Sequence, residues 1–450
     1  MSTLTGQKIK DTYDGLLKTV NSTQGIPATG QVLIEDGLGN NSALNLGAQG
    51  NGATISGNFE ADNILSKETD ENVFVGENVG RNISVGGINN EGRTNTAIGT
   101  NSLETGTTVK NSTAIGTDAL KSSKNGSFNV AVGDSAMQQN VNGNSNTAIG
   151  SGSLKNSTTA SFNVAIGRDT LSNNINGNSN TAIGINALRD NIATSFNVAI
   201  GANTMANHIQ GASNLAIGRD CLANQNTGTG NIALGQRALR DNDGVSNNIG
   251  IGTDAGRNIS TGSQNIAIGR SSQSGGTGTG NSNTTLGFQA GQTLYGNNNL
   301  LLGSATNPSA QSVSNEITLG NGGISKLRCA VTSITSLSDE RDKTDIKPLE
   351  YGLDFVNQLK PKEFVWNQRV EYGIDYDEED NEIEVEIENG NRGKKDFGFI
   401  AQDVQKVDDD TLRLVSDDNP EKLELSYGKL VPILVKAIQE LQAEVNALKK

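Results

Sequence analysis

A glycine recurs every 17 residues through the middle of this chain, running from Gly99, Gly116, Gly133 and Gly150 through to Gly269. Slightly irregular steps carry the series on to Gly287, Gly303 and Gly320. Ile, Val or Leu precedes each of these 14 glycines, and Asn stands four residues before 12 of them. From Leu103 to Leu239, the fourth residue after the glycine is Leu or Met. A unit this short cannot bury its own apolar face, so it must stack on its neighbours.

The segment Asn-x-Ala-Ile-Gly is β-compatible and alternates in side-chain direction. With one coil per unit, Ile149 stacks between Val132 and Ile166 in an aliphatic column. Stacked side chains such as Asn129, Asn146, Asn163 and Asn180 can then form a hydrogen-bonded ladder. Glycine at the strand end permits a corner that other residues resist. At about 4.8 Å per coil, the stack makes a rod of roughly 65 Å.

A longer harmonic overlies this period. Ser127-Phe128-Asn129-Val130 recurs at Ser161-Phe162-Asn163-Val164 and Ser195-Phe196-Asn197-Val198, 34 residues apart. The three phenylalanines line up along one side, either as a stacked packing ridge or as an exposed glycan-binding stripe.

Composition narrows the function classes. With 55 Gly but only 6 Pro and no Gly-X-Y triplet, the chain is not collagen-like. A net charge of -14 disfavours nucleic acid as a partner. No apolar run reaches the ~18 residues of a membrane span and residues 1–20 show no secretory signal, so membrane insertion is not expected. Cys221 and Cys329 form no metal or redox motif. Cys221 occupies a slot filled elsewhere by Ala136, Ser153, Thr170, Ala187 and Thr204, which makes it a small buried side chain. His208 is the single histidine, so a multi-histidine zinc site is excluded; no cofactor and no metal are expected. Asp118, Asp134, Asp169 and Asp220 recur in one turn of the repeat and form no unique carboxylate pair of the kind a polysaccharide depolymerase needs.

The Asn-Thr-Ala-Ile-Gly and Asn-Val-Ala-Ile-Gly units resemble those in the heads of trimeric autotransporter adhesins and in many phage tail fibres. The resemblance covers about half the chain. It implies a left-handed parallel β-roll with three copies side by side.

After about residue 325 the 17-residue rhythm stops and charge crowds in. Ser338-Asp339-Glu340-Arg341-Asp342-Lys343 opens this region, followed by Phe364-Val365-Trp366 and by Gly398-Phe399-Ile400-Ala401-Gln402-Asp403-Val404. Leu425-Ser426-Tyr427 and a helix from about Val431 to Lys450 end it. In order and kind these motifs resemble the intramolecular chaperone domain of endosialidases and other phage tail spikes. That resemblance implies a trimeric folding clamp released by autoproteolysis before the serine of Ser-Asp-x-Arg-x-Lys, here the Leu337–Ser338 bond. Ser338 would be the nucleophile and Lys343 the general base, with Asp339 and Arg341 in support. Such a single-turnover reaction needs no external substrate. A serine hydroxyl needs an adjacent base, and this region holds no histidine. A lysine serves as base only when burial or a nearby cation favours its neutral form, and an assembled trimer could supply both. The bland alternative is that Ser338-Asp339 simply caps a helix start.

Glu382 to Glu388 alternates with Ile383, Val385 and Ile387 beyond the acidic run Asp375–Asp380, the pattern of a solvated hairpin more than of a calcium loop. In the final helix, Leu434, Ile438, Leu441, Val445 and Leu448 form a coiled-coil seam, with Pro432 in the first turn. The seam's residue types lean towards two strands, so a trimer rests on the resemblance. Near the N-terminus, Ile9, Tyr13, Leu16, Leu17 and Val20 suggest an amphipathic helix, and Gln31–Glu35 and Ser42–Gly47 suggest strands; the region either attaches to a particle or caps the fibre.

The expected fold is mainly β: a trimeric parallel β-solenoid of 17-residue coils, then an α+β chaperone domain ending in a coiled-coil helix. The expected boundaries are an N-terminal region at 1–65, the solenoid at 66–325, a connector at 326–337 and the chaperone autoprotease at 338–450. The expected role is a homotrimeric tail fibre on a virion, assembled in the host cytoplasm. Its partners would be itself, a tail or baseplate protein at the N-terminus and a host surface glycan or protein. Alternatives are a spacer fibre of a phage or contractile injection particle, and a depolymerase spike.

Overall fold

The computed structural model describes residues 72–83, 92–275, 280–324, 326–328, 338–367, 371–376, 382–387, 392–408, 411–417 and 419–449, with short strands between 34 and 55. The chain divides into two compact units, Met1–Lys67 and Glu68–Lys450. In the first, Ile34–Glu35 pairs antiparallel with Asn41–Ser42, and Leu44–Leu46 with Ala53–Ile55. The expected helix over residues 5–20 lies outside the described residues, as do Cys329 and Leu337.

Fifteen three-residue strands, from Val73–Val75 to Ile317–Leu319, form one parallel sheet in strict sequence order. Register is one residue type on its counterpart: Val132 pairs with Ile149, and Ile149 with Ile166. The first strand, followed by Gly76 at φ +132°, precedes the glycine series by a 23-residue step and therefore escaped the 17-residue count.

The aliphatic column stacks as expected, but it lies on the outer face: Ile149 is 39% exposed. The interior belongs to the central Ala of each strand, such as Ala131, Ala148 and Ala165, and to the Leu or Met four residues past the glycine. The reason is geometric. A coil only 17 residues around leaves room for a methyl where the strand faces inward. The far corner supplies the bulk, because Leu120, Met137, Leu154 and Leu171 adopt φ near +50° and turn their side chains into the centre. Ala97 through Ile259 thus make one continuous core.

The asparagine ladder runs the length of the stack, with the backbone as half of each rung. Asn163 Oδ1 accepts the backbone N–H of Asn180 at 2.9 Å, while its Nδ2 donates to the Gly177 carbonyl at 2.9 Å. The same pattern links Asn129 to Asn146 and Asn283 to Asn299. Where Ser112 replaces Asn, its Oγ accepts the N–H of Asn129. Each rung satisfies backbone groups that a sharp interior corner would otherwise leave unpaired.

Cys221 is buried, and its Sγ faces the Gly235 carbonyl as Thr204 Oγ1 faces that of Gly218. Burial pushes its thiol up to about 11, so it stays an inert packing group. Phe128, Phe162 and Phe196 do not form a packed ridge; they stand 54%, 65% and 65% exposed.

Beyond the solenoid lies a small α/β region. Helices α1 (Leu353–Val356), α2 (Ala401–Gln405) and α3 (Leu430–Leu448) surround a core of Phe355, Val404, Leu414, Leu430 and Ile433. Lys362–Val365 pairs antiparallel with Lys395–Gly398. The acidic hairpin is present as Glu371–Tyr376 paired with Glu382–Ile387. Pro432 sits in the first turn of α3, where its missing N–H costs nothing. Among the described residues no group of three or more His, Cys, Asp and Glu side chains could hold a metal, and no helix is long and apolar enough to cross a membrane.

Candidate active site

Ser338 and Lys343 bracket a single 3-10 turn, Glu340–Asp342. Asp339 is its N-cap: its carboxylate accepts the backbone N–H of Arg341 at 2.9 Å. The capping alternative therefore assigns to Ser338 a task that Asp339 performs. The serine hydroxyl is left for another partner.

That partner is Lys343. Its backbone N–H bonds to the Glu340 carbonyl and closes the turn. Its side chain then folds back, with Nζ 2.6 Å from Ser338 Oγ and 3.2 Å from the Ser338 carbonyl. A regular α-helix would not bring residues five apart onto one another. The tighter turn with extended flanks does so.

Asp339 and Arg341 form a two-point pair, with Nε and Nη2 of Arg341 at 3.0 and 2.6 Å from the two carboxylate oxygens. The Arg341 guanidinium holds the Asp339 carboxyl below its ordinary value, and the carboxylate in turn raises the guanidinium. Arg341 is thus turned onto Asp339, away from a role as a neighbouring cation for Lys343. All four side chains are exposed to solvent in the single chain. The arrangement holds a nucleophile against an amine but does not shield them from water.

The rest of the domain presents apolar surface to the outside. Helix α3 has two apolar faces: Leu430, Ile433 and Ala437 are buried in the domain core. The seam of Leu434, Ile438, Leu441 and Leu448 is exposed, Ile438 at 65%. Phe397 is 81% exposed beside Phe399 and Tyr427, whose rings lie 6.1 Å apart. Sequence reading missed this aromatic patch, because a single Phe397 between Asp396 and Gly398 carries no periodic signal of which face it takes. The last coils of the solenoid meet the C-terminal region where Asn419 Nδ2 donates to the Ser309 carbonyl at 3.0 Å.

Residues 338–413 match the sequence model of the family described as chaperone of endosialidase. No curated protein and no solved structure matches the chain. The matched segment starts at Ser338 and includes the Ser338–Lys343 turn. A parallel β-solenoid followed by a segment similar to the endosialidase chaperone fits a phage tail fibre or spike with a C-terminal chaperone.

Proposed function

We propose that the chain is a homotrimeric tail fibre of a virion that binds a host surface receptor. Its C-terminal domain assists trimer assembly and is then released at the Leu337–Ser338 bond. The observation that carries the release step is the 2.6 Å contact between Lys343 Nζ and Ser338 Oγ. Lys343, as neutral amine, takes the hydroxyl proton while Oγ attacks the carbonyl carbon of residue 337. The C–N bond breaks, the Ser338 amine takes up the proton, and water hydrolyses the resulting ester. In the single chain the pair is open to water. Burial of this turn on assembly makes cleavage conditional on a correctly formed trimer.

Association between copies is supported by two unpartnered apolar features, and its three-fold order by the resemblance to trimeric fibres. One is the outward column of Ile, Val or Leu present in all 14 repeats, and the other is the α3 seam. An apolar strip of this length is unusual for a lone soluble chain and marks an association surface.

Denaturing electrophoresis of wild type and Ser338→Ala tests the reading. The wild type should yield a 113-residue C-terminal fragment, about a quarter of the 47.0 kDa chain, and the variant should stay whole. A single full-length band from both would refute self-release.

A further inference from the structure

Phe128, Phe162 and Phe196 occupy the corner that precedes each strand, five residues before the coil glycine. All three hold left-handed backbone, at φ +61°, +60° and +62°. This conformation suits Asn, Ser or Gly and is strained for a bulky aromatic. In the other coils the same corner carries the residues physics favours, for example Asn111, Ser145, Ser179, Ser213 and Gly230. The three rings gain little from the fold in return, since each is more than half exposed. Strain at exposed aromatics that contribute nothing to the core points to a use outside the coil.

That use is distinct from packing between copies of the chain. A seam between parallel copies runs the length of the rod and stays apolar, as the Ile column does in all 14 repeats. The corner row is aromatic in three coils and free of apolar side chains in the remaining eleven. It is a local feature of residues 128–213.

Within that stretch the row alternates ring and hydroxyl: Phe128, Ser145, Phe162, Ser179, Phe196, Ser213. At about 4.8 Å per coil, successive rings stand about 9.6 Å apart. That is close to the length of a disaccharide in an extended polysaccharide. Aromatic faces suit the C–H faces of sugar rings, and hydroxyls suit their polar edges. The flanking residues Ser127, Asn144, Ser161, Asn178 and Ser195 are uncharged. They also hold the corners rigid: Asn144 N–H donates to Ser161 Oγ at 3.0 Å, and Ser161 N–H to Asn178 Oδ1 at 2.7 Å. The platform is preorganised, so binding orders little.

We infer that the Phe128–Phe162–Phe196 row is a docking platform for a neutral linear polysaccharide with a disaccharide repeat. This rests on the receptor-binding reading above and places the receptor site on the side of the solenoid.

The test compares the full-length wild-type fibre with the triple variant Phe128→Ser, Phe162→Ser, Phe196→Ser on a panel of intact bacterial strains. Serine already occupies the alternate corners, so the variant should keep its oligomeric mass and melt at the same or a higher temperature. On a strain that the wild type binds, the variant should bind at least about tenfold more weakly. Periodate oxidation of the cells should abolish wild-type binding, and protease treatment should not. Undiminished binding by the variant would overturn the platform while leaving receptor binding intact. A changed oligomeric mass would make the row a seam between copies, and loss on protease but not periodate would make the partner a protein; either overturns it. Wild type binding no strain at all would remove the receptor reading and this inference together.

Discussion

Lys343 Nζ lies 2.6 Å from Ser338 Oγ, five residues earlier, because a 3-10 turn capped by Asp339 folds the chain back between them. The cap and the contact are separate interactions, so their roles separate experimentally. Lys343→Arg keeps the positive charge and a donor to the hydroxyl but cannot become a neutral base. The full-length variant should fold and associate as wild type does, yet show no C-terminal fragment on a denaturing gel. Cleavage at the wild-type rate would exclude Lys343 as the base.

The asparagine ladder should be costly to interrupt. Asn163→Ala orphans the buried N–H of Asn180, while the Gly177 carbonyl keeps the bond that Asn174 Nδ2 donates at 2.9 Å. One buried unsatisfied N–H predicts a loss of about 1–3 kcal/mol in solenoid stability, measured by denaturant unfolding. A change near zero would show that the rungs are replaceable by water.

Gly150 adopts φ +132°, and a Cβ there would fall 2.4 Å from the Gly167 carbonyl oxygen of the next coil. Gly150→Ala should therefore cost about 3 kcal/mol or more, since both the backbone and the neighbouring coil must shift. Circular dichroism on heating would register it as a lower melting midpoint.

Asp403 lies between Lys362 Nζ at 2.5 Å and Lys406 Nζ at 3.0 Å, and these contacts, Lys362 first, hold its carboxyl down at about 2. A carboxyl depressed in the folded state stabilises it above the ordinary carboxylate value, and this stabilisation is lost as pH falls through the folded value. Asp403→Asn should thus be less stable than wild type at neutral pH. The gap should close between about pH 4 and pH 2, read from melting midpoints across that range.

How much of this was legible before the structure depends on which residues are asked. The spacing of Gly133, Gly150 and Gly167 gives the coil, its parallel pairing and the Asn ladder, because a period survives whatever the curvature. It does not say which side of the strand is inside. In Asn-Thr-Ala-Ile-Gly both Ala148 and Ile149 are apolar, and the larger one is the natural guess for a core. The narrow interior reverses that choice, and the bulk comes from Leu154 across the coil. The phenylalanines were legible as a repeat, with exposure as one of two readings, but not as strained, since a left-handed corner is set by stacking and not by the preference of Phe. At the candidate site, residue types named Ser338 and Lys343; only the turn between them shows that they touch, and Leu337 lies outside the described residues.

Sedimentation analysis of the full-length Ser338→Ala chain, which lacks the proposed nucleophile for release of its C-terminal domain, measures assembly most directly. A three-copy fibre joined along the Ile column and the α3 seam predicts three times the 47.0 kDa chain mass. Replacing Leu434, Ile438 and Leu441 with Ser should lower that mass or slow its appearance. A folded species at the mass of one chain, stable and soluble with both apolar strips bare, would contradict the trimeric fibre.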